Sequence, residues 1–455
     1  MKIQSIFLFF LLFSISVTAQ TMPNTKEEVI TIIKKANDYW QANNSTNVRA
    51  FWDNAAYHTG NMEAYAITGL EKYRTYSETW ATYNNWMGAT GTNKANWKFT
   101  YGESADYVLF GDWQICFQTY ADLYNLSPDP AKIARAREVM EYQMSTTRNN
   151  YWWWADGLYM VMPVMTKLYK ITGNSLYLDK LYTYFNFADK LMYDQTESLY
   201  YRDSTYVYPK SKTNTGLKNF WARGDGWVFA GLAKVLKDLP QTDTHHSFYE
   251  SRFKSMANAL INCQQEQGYW TRSLLDSAYA PGYETSGTAF FTYGLLWGIN
   301  NGYLDKSTYL PAALKGWSYL SSIALQSNGS VGYVQPIGSQ AIPGTYVYAT
   351  NTANFGVGAF LLAACELTRT IDATTGVQNT TQGKSLSAYP LPATDEITVT
   401  DNEPITGNVK LFDSTGKLVK EQPANSNITT INISDLTPGI YFLRANNQAI
   451  KVVRK

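Results

Sequence analysis

Histidine is almost missing from this chain: there are three in 455 residues, His58, His245 and His246. No helix carries two of them at metal-ligand spacing, which excludes a zinc hydrolase of the familiar kind. Cysteine is equally scarce. Cys116, Cys263 and Cys365 are odd in number and widely separated, so they read as buried apolar thiols and not as a disulfide framework. An excess of either charge is absent too, with 38 basic against 37 acidic residues and a formal net charge of +1. Such a balance leaves no basic footprint for nucleic acid, and an acidic ligand must be held by a few placed cations. Beyond the N-terminus no stretch has the ~20 apolar residues of a membrane span. No serine sits in a nucleophile elbow and no glycine-rich loop follows a strand, which removes support for acyl transfer and nucleotide chemistry. Nothing in the pattern asks for a metal or a cofactor.

Aromatic side chains are abundant: 15% of the residues, including 35 Tyr and 14 Trp. A core alone rarely needs so many, and indole and phenol faces suit the apolar C–H faces of pyranose rings. With 45% hydrophobic residues the chain can bury one large core and a smaller one. Residues 1–19 carry Lys2, an apolar run from Ile6 to Val17 and the small-residue pattern Val17-Thr18-Ala19, the signature of a secretory signal peptide.

From residue 20 to 370 one unit recurs: an amphipathic helix, a Gly or Pro turn, then a Tyr opening the next helix. Ile67-Thr68-Gly69-Leu70-Glu71-Lys72-Tyr73 and Ile171-Thr172-Gly173-Asn174-Ser175-Leu176-Tyr177 show it best, with Gly at the helix C-cap. At roughly 50 to 60 residues per helical hairpin, six or seven hairpins fit, as a closed toroid of paired helices requires. The expected fold is therefore an all-α (α/α)6 barrel. Residues 371–384 lose the periodicity and read as a linker rich in Thr, Gln, Asn and Gly. Residues 385–455 turn to period-two strands at 396–400, 408–412, 429–433 and 439–443, a small C-terminal β-sandwich. This tail carries Tyr389-Pro390-Leu391-Pro392-Ala393-Thr394-Asp395, Val409-Lys410-Leu411-Phe412-Asp413-Ser414-Thr415-Gly416-Lys417, Leu436-Thr437-Pro438-Gly439-Ile440-Tyr441-Phe442 and a basic end. As a set these resemble the C-terminal sorting domain of the type IX secretion system. The resemblance implies export through the periplasm to the cell surface or beyond, with that machinery as partner.

The chemistry falls to carboxylates. Asp156 follows Trp152-Trp153-Trp154, and a carboxyl pressed against indole loses hydration and tends to keep its proton, as a general acid must. Asp106, in a segment that reads as a helix through Asp112, is the second candidate; on a helix only one of the two can face a shared pocket. Trp221, Arg223 and Trp227 share a stretch with Gly224 and Gly226 that lets the side chains converge, and Arg202 with Asp203 lies upstream. Glu284 reads equally as the N-cap of the apolar helix 289–299 and as a polar wall. His58 sits near a helix start, where pocket and structure are indistinguishable.

Four motifs in order, Asp106-x-Val108-x-x-Gly111, Trp154-Ala155-Asp156-Gly157-Leu158-Tyr159-Met160, Trp221-Ala222-Arg223-Gly224-Asp225-Gly226-Trp227 and Glu284-Thr285-Ser286-Gly287-Thr288-Ala289, resemble the unsaturated glucuronyl and rhamnogalacturonyl hydrolases of glycoside hydrolase families 88 and 105, the latter most closely. The resemblance implies a 4-deoxy-4,5-unsaturated uronic acid at the non-reducing end of a lyase-generated oligosaccharide (from pectin, ulvan or arabinogalactan) as substrate. It implies hydration of the C4–C5 double bond: Asp156 protonates C4 and then, as base, activates the water that attacks C5, after which the hemiketal opens and releases the aglycone. On the same basis Asp106 assists, Trp154, Trp221, Trp227 and Arg223 bind the ring, and Tyr57 lines the rim with His58 beside it. One departure stands out, since rhamnogalacturonyl members carry a pocket His between the Asp156 and Arg223 motifs and this chain has none there, with Arg202 or Asp203 standing nearby instead. Three other functions remain open: a conventional acid/base glycosidase, a polysaccharide lyase on the same toroid, and a glycan-binding protein without turnover.

Overall fold

The computed structural model describes residues 24–375 and 386–455, apart from 391, 402–403, 414–415 and 447. The expected signal peptide, residues 1–19, lies outside the described residues, as does the linker from residue 376 onward. The chain divides into two compact units, 1–375 and 376–455.

Among the described residues the first unit holds twelve α-helices: α1 (Lys26–Asn43), α2 (Trp52–Thr68), α3 (Glu71–Tyr83), α4 (Cys116–Leu126), α5 (Ala131–Ser145), α6 (Ala155–Thr172), α7 (Leu176–Met192), α8 (Ala222–Asp238), α9 (His246–Asn262), α10 (Thr285–Asn300), α11 (Lys306–Tyr319) and α12 (Asn354–Thr375). The last runs past residue 370, so the helical unit extends into the segment expected to be linker. Even-numbered helices pack on one another in sequence, and α12 returns to α2 to close a ring. Odd-numbered helices lie outside it, and sequence explains the sorting. In α1 the buried residues are Val29, Ile33, Ala36, Asn37 and Trp40, a single stripe at helical spacing. In α10 every residue from Thr285 to Gly298 is buried, as a helix surrounded by others must be. Ring closure depends on two glycines: a Cβ on Gly60 of α2 would lie 2.2 Å from the carbonyl oxygen of Gly358 in α12, so the two backbones touch where no side chain fits. The turn expected at Gly69 and Gly173 is there, each a C-cap at positive φ (65° and 70°).

Alternation of outer and inner helices puts the N-termini of all six inner helices, and the long segments leading into them, at one end of the ring. Their partial positive charges therefore converge there.

Among its described residues the second unit has two antiparallel sheets. A two-residue hairpin in the first unit supplies β1 (Tyr193–Asp194) and β2 (Leu199–Tyr200); the tail supplies β3 (Ser387–Tyr389), β4 (Glu396–Thr400), β5 (Gly407–Phe412), β6 (Leu418–Ala424), β7 (Ile428–Asn432), β8 (Gly439–Ala445) and β9 (Gln448–Arg454). Strand orders are β3-β4-β7 and β6-β5-β8-β9. Alternate residues Ile397, Val399 and Ile431 of one sheet and Val409, Leu411, Leu443 and Val452 of the other share one apolar core.

Candidate active site

Asp156 stands in the first turn of α6, after the extended N-cap residue Trp154 (φ −139°, ψ 152°). The helix entrance is pinned by an amide bond from Ala155 to the Arg202 carbonyl (2.7 Å) and by a bridge between Trp154 and Asp203. That pairing carries the Arg202 side chain to Asp156, Nε to Oδ2 at 3.4 Å, while its terminal nitrogen pairs with Asp203 at 2.7 Å. Asp203 in turn is fixed by the Thr205 amide (2.8 Å) and hydroxyl (2.6 Å). Neither Asp156 Oδ2 nor Arg202 Nε has a hydrogen-bond partner although both atoms are buried, an expensive condition unless a ligand completes them. Burial raises the Asp156 carboxyl above its ordinary range, against the opposing pull of Arg202 and then Arg223.

Trp154 is the hinge of this arrangement. Its indole stacks on Phe110 (4.8 Å), and a Cβ on Gly157 or Gly111 would fall 3.0 or 3.1 Å from the ring. The two glycines let the indole lie flat between α6 and residues 110–113, which brings Asp112 into the surroundings of Asp156. Asp112 is 6% exposed, and its carboxyl is pushed well up, first by burial and next by the charge of Asp156. The helix expected around Asp106 is not formed. Residues 104–110 are turns held to Lys98, whose amide bonds the Asp106 carbonyl (2.8 Å), followed by a short 3-10 helix, Gly111–Trp113. Asp106 lies beside Gly91, and the carboxyl that neighbours Asp156 is Asp112 instead. Sequence offered one clue to this, the glycine just before it.

Arg223 enters from the first turn of α8. Its guanidinium donates to the carbonyls of Gln335 (2.6 Å) and Pro336 (3.0 Å) and to the Ser286 hydroxyl (3.4 Å). Its flat faces lie over Trp221 (4.6 Å) and Phe355 (4.7 Å). Burial lowers its pKa to about 10, opposed by Glu284 and Asp156, so it remains a cation at neutral pH. Trp221 is the N-cap residue of α8 and donates its indole N–H to Gln335 (2.9 Å). Glu284 bears out the cap among its two sequence readings, and its side chain is fully buried. It caps α10, accepting from the Ser286 amide (2.9 Å) and hydroxyl (2.6 Å) and the Gly287 amide (2.8 Å), and it also takes the Gln335 amide (3.2 Å). Trp227, one turn below Arg223, packs on Phe290 (4.5 Å) and Tyr159 (4.8 Å) and is fully buried.

Two expected residues are not brought to this cluster. Tyr57 is 1% exposed, and its hydroxyl donates to Asn37 of α1 and accepts from Gln41 (3.1 Å). His58 bonds Ser77 of α3 (2.9 Å) and stacks on Trp80 at 3.8 Å. Both sit on the face of α2 turned to the outer helices; Asp53, in the first turn of α2, faces the cluster instead, where its charge bears on Asp112. Gln335, which positions both Trp221 and Arg223, is more than 100 residues away in sequence (112 to Arg223) and gave no local signal.

Residues 24–371 match the model of glycosyl hydrolase family 88. The chain belongs to that family. Its helical unit is accordingly a glycoside hydrolase domain, and residues 387–455 match the secretion system C-terminal sorting domain. An unsaturated 3S-rhamnoglycuronyl hydrolase of Formosa agariphila is 33% identical over 326 residues, 70% of this chain and 84% of that protein. A family 88 structure from Bacteroides vulgatus is 60% identical, with a TM-score of 0.75, over 76% of this chain and 99% of its own. A structure solved as a polysaccharide lyase is 64% identical, TM-score 0.76, over 78% of this chain and 99% of its own. Among the described residues no group of His, Cys, Asp and Glu could hold a metal, and no helix is long and apolar enough to cross a membrane.

Proposed function

We propose that this family 88 domain binds a 4-deoxy-4,5-unsaturated uronic acid and releases it by hydrating the C4–C5 double bond, with Asp156 as acid and then base and Asp112 as its partner carboxyl. The observation that carries the reading is the buried pair Asp112 and Asp156, both held toward the protonated form, beside two guanidiniums. A proton retained by burial can be delivered to an alkene carbon. Arg202 Nε, buried without a hydrogen bond, and Arg223 supply the positive field that a substrate carboxylate needs, reinforced by the helix N-termini. Trp154 and Trp221 shape the sugar-binding wall. The Formosa relative's name supports rhamnose as the neighbouring sugar. The tail is read as a β-sandwich export address for the type IX machinery.

The test is hydrolysis in heavy water. Deuterium must enter at C4 of the released sugar while the ultraviolet absorbance of the conjugated double bond disappears. A conventional glycosidase with Asp112 and Asp156 as acid and base would release an enol that takes up deuterium on both faces of C4 only after leaving the protein, whereas delivery by Asp156 labels one face. A second reading rests on the 64% identical structure solved as a polysaccharide lyase: elimination from an uronic acid, with a guanidinium neutralising the carboxylate, one carboxylate of the Asp112 and Asp156 pair taking the C5 proton and the other, protonated, giving its proton to the leaving oxygen. That reaction creates the absorbance that the hydratase consumes, so the sign of the change separates them.

A further inference from the structure

The end of the ring that carries Asp156 and the opposite end are finished differently. At the far end, ion pairs such as Lys170–Asp238 (2.8 Å), Lys237–Glu63 (2.9 Å) and Lys167–Asp122 cover the surface. At the Asp156 end, large apolar side chains face solvent, and the segment between α11 and α12 exposes four of them: Ile337, Ile342, Tyr346 and Tyr348. From Ser330 to Asn354 this segment contains no Asp, Glu, Lys or Arg.

Its inner side is firmly seated. Ala341 is buried with Trp221, Gln335 donates to the Gln340 carbonyl (2.9 Å), and Arg272 holds both the hydroxyl (2.6 Å) and the carbonyl (2.7 Å) of Thr345. Tyr348 is fixed through its carbonyl to the Tyr333 amide (3.0 Å) and through its own amide to Asn351 (2.7 Å). Ser339 meets the hydroxyl of Tyr206 at 2.9 Å, three residues after Asp203. The outer side is bare: Tyr346 is 69% exposed, Ile337 67% and Tyr348 60%. The two tyrosines, spaced to share one side of an extended segment, have ring centres 6.4 Å apart at 37°. Ile337 directly follows Pro336, whose carbonyl accepts from Arg223, so the segment is anchored at the edge of the Arg223 cluster.

A rigid backbone presenting bare aromatic and aliphatic side chains beside a sugar site marks a surface that something covers, and the absence of charge favours a neutral occupant with apolar faces. We propose that Ile337, Tyr346 and Tyr348 form a stacking platform for neutral pyranose rings on the reducing side of the scissile bond, selecting oligosaccharides over short substrates. The proposal rests on the reading of the Asp156 cluster as a site for unsaturated uronides. Phenol rings stack on pyranose C–H faces, and a fixed platform adds affinity at little ordering cost.

The test uses the full chain and a ladder of lyase-generated di-, tri- and tetrasaccharides together with the 4-nitrophenyl unsaturated uronide. In the wild type KM should fall with chain length. In the Tyr346→Ala/Tyr348→Ala double variant, KM for the tetrasaccharide should rise about tenfold with kcat kept, while the nitrophenyl substrate is unaffected. Equal KM at all lengths in the wild type, or equal loss on both substrates in a variant with unchanged Tm, overturns the platform and leaves the hydrolase reading intact. If the chain consumes none of these substrates, that reading fails. The same ladder titrated calorimetrically then still decides the platform: length-dependent affinity lost in the double variant supports it, and length-independent affinity overturns it.

Discussion

Replacing Arg202 by Met removes the strongest force that opposes protonation of Asp156. The pair is 3.4 Å apart, with side-chain exposures of 20% and 13%. At an effective dielectric of about 20, Coulomb's law gives an attraction of roughly 5 kcal/mol at that separation, an upper bound. Asp203 shares the same guanidinium at 2.7 Å and cancels much of it. Opposite charges this close move a carboxyl by about 1 to 3 pH units, and the shared guanidinium argues for the low end. The sign follows from the role. An acid works while protonated, so kcat/KM falls as pH rises through the Asp156 pKa, which burial already holds above its ordinary value. Without Arg202 that pKa rises further, and the alkaline limb of the kcat/KM profile, which reports the free enzyme, should move up by about one unit. Asp203→Asn should do the reverse: it removes a neighbouring negative charge and frees Arg202 for Asp156, so the limb moves down. The assay is the ultraviolet change of the unsaturated uronide followed across pH for all three proteins. Limbs that stay in place, or that move in the same direction in both variants, would refute the assignment of the acid to Asp156.

Asp156→Asn and Asp112→Asn should each lower kcat by about 10²-fold or more, whereas Asp106→Asn should stay within about threefold of wild type because its side chain lies away from the pair; steady-state kinetics on one substrate orders them. Glu284→Ala removes the acceptor of four hydrogen bonds and the carboxylate that compensates buried Arg223, and a loss of about 3 kcal/mol or more is expected from thermal or urea unfolding. Burial against Trp80 lowers the His58 pKa from 6.5 to about 3, so the unfolded chain takes up a proton that the fold refuses. Stability should therefore decline as pH falls from 6.5, by about 3 kcal/mol at pH near 4, and His58→Gln should flatten that slope in urea titrations.

The parts of the fold that were legible in sequence were those set by local rules. Gly at a helix C-cap, a Tyr opening the next apolar face and strand alternation in the tail are signals within ten residues. The same holds for Asp156 and Arg223, each in the first turn of an inner helix, so that the motif and the helix start coincide. The misplacements share a cause. In α2 nine residues from Ala55 to Ala64 are buried, so the helical period cannot say which face meets the outer helices and which the ring axis; Tyr57 and His58 fell on the outer side. For Asp106 the error lay in the element. Sequence alone reads a helix where the backbone is tied to Lys98 and where Gly111 must admit the Trp154 ring, and a 3-10 turn brings Asp112, not Asp106, to Asp156. Gln335 belongs to contacts between segments far apart in the chain, which no local pattern encodes.

Three influences contend over the Asp156 proton. Its place in the first turn of a helix favours the anion, as do Arg202 and Arg223, yet burial outweighs them and the carboxyl is raised. This balance has a consequence for the proposed reaction. A substrate carboxylate that binds either guanidinium neutralises part of the field that favours ionised Asp156 and adds a negative charge nearby. It also expels water, which strengthens the burial penalty. All three changes act in one direction, so the bound complex holds the proton more firmly than the free protein. The pKa seen in kcat should then lie above the pKa seen in kcat/KM, and the acid is most fully charged with its proton when the double bond is in place to receive it.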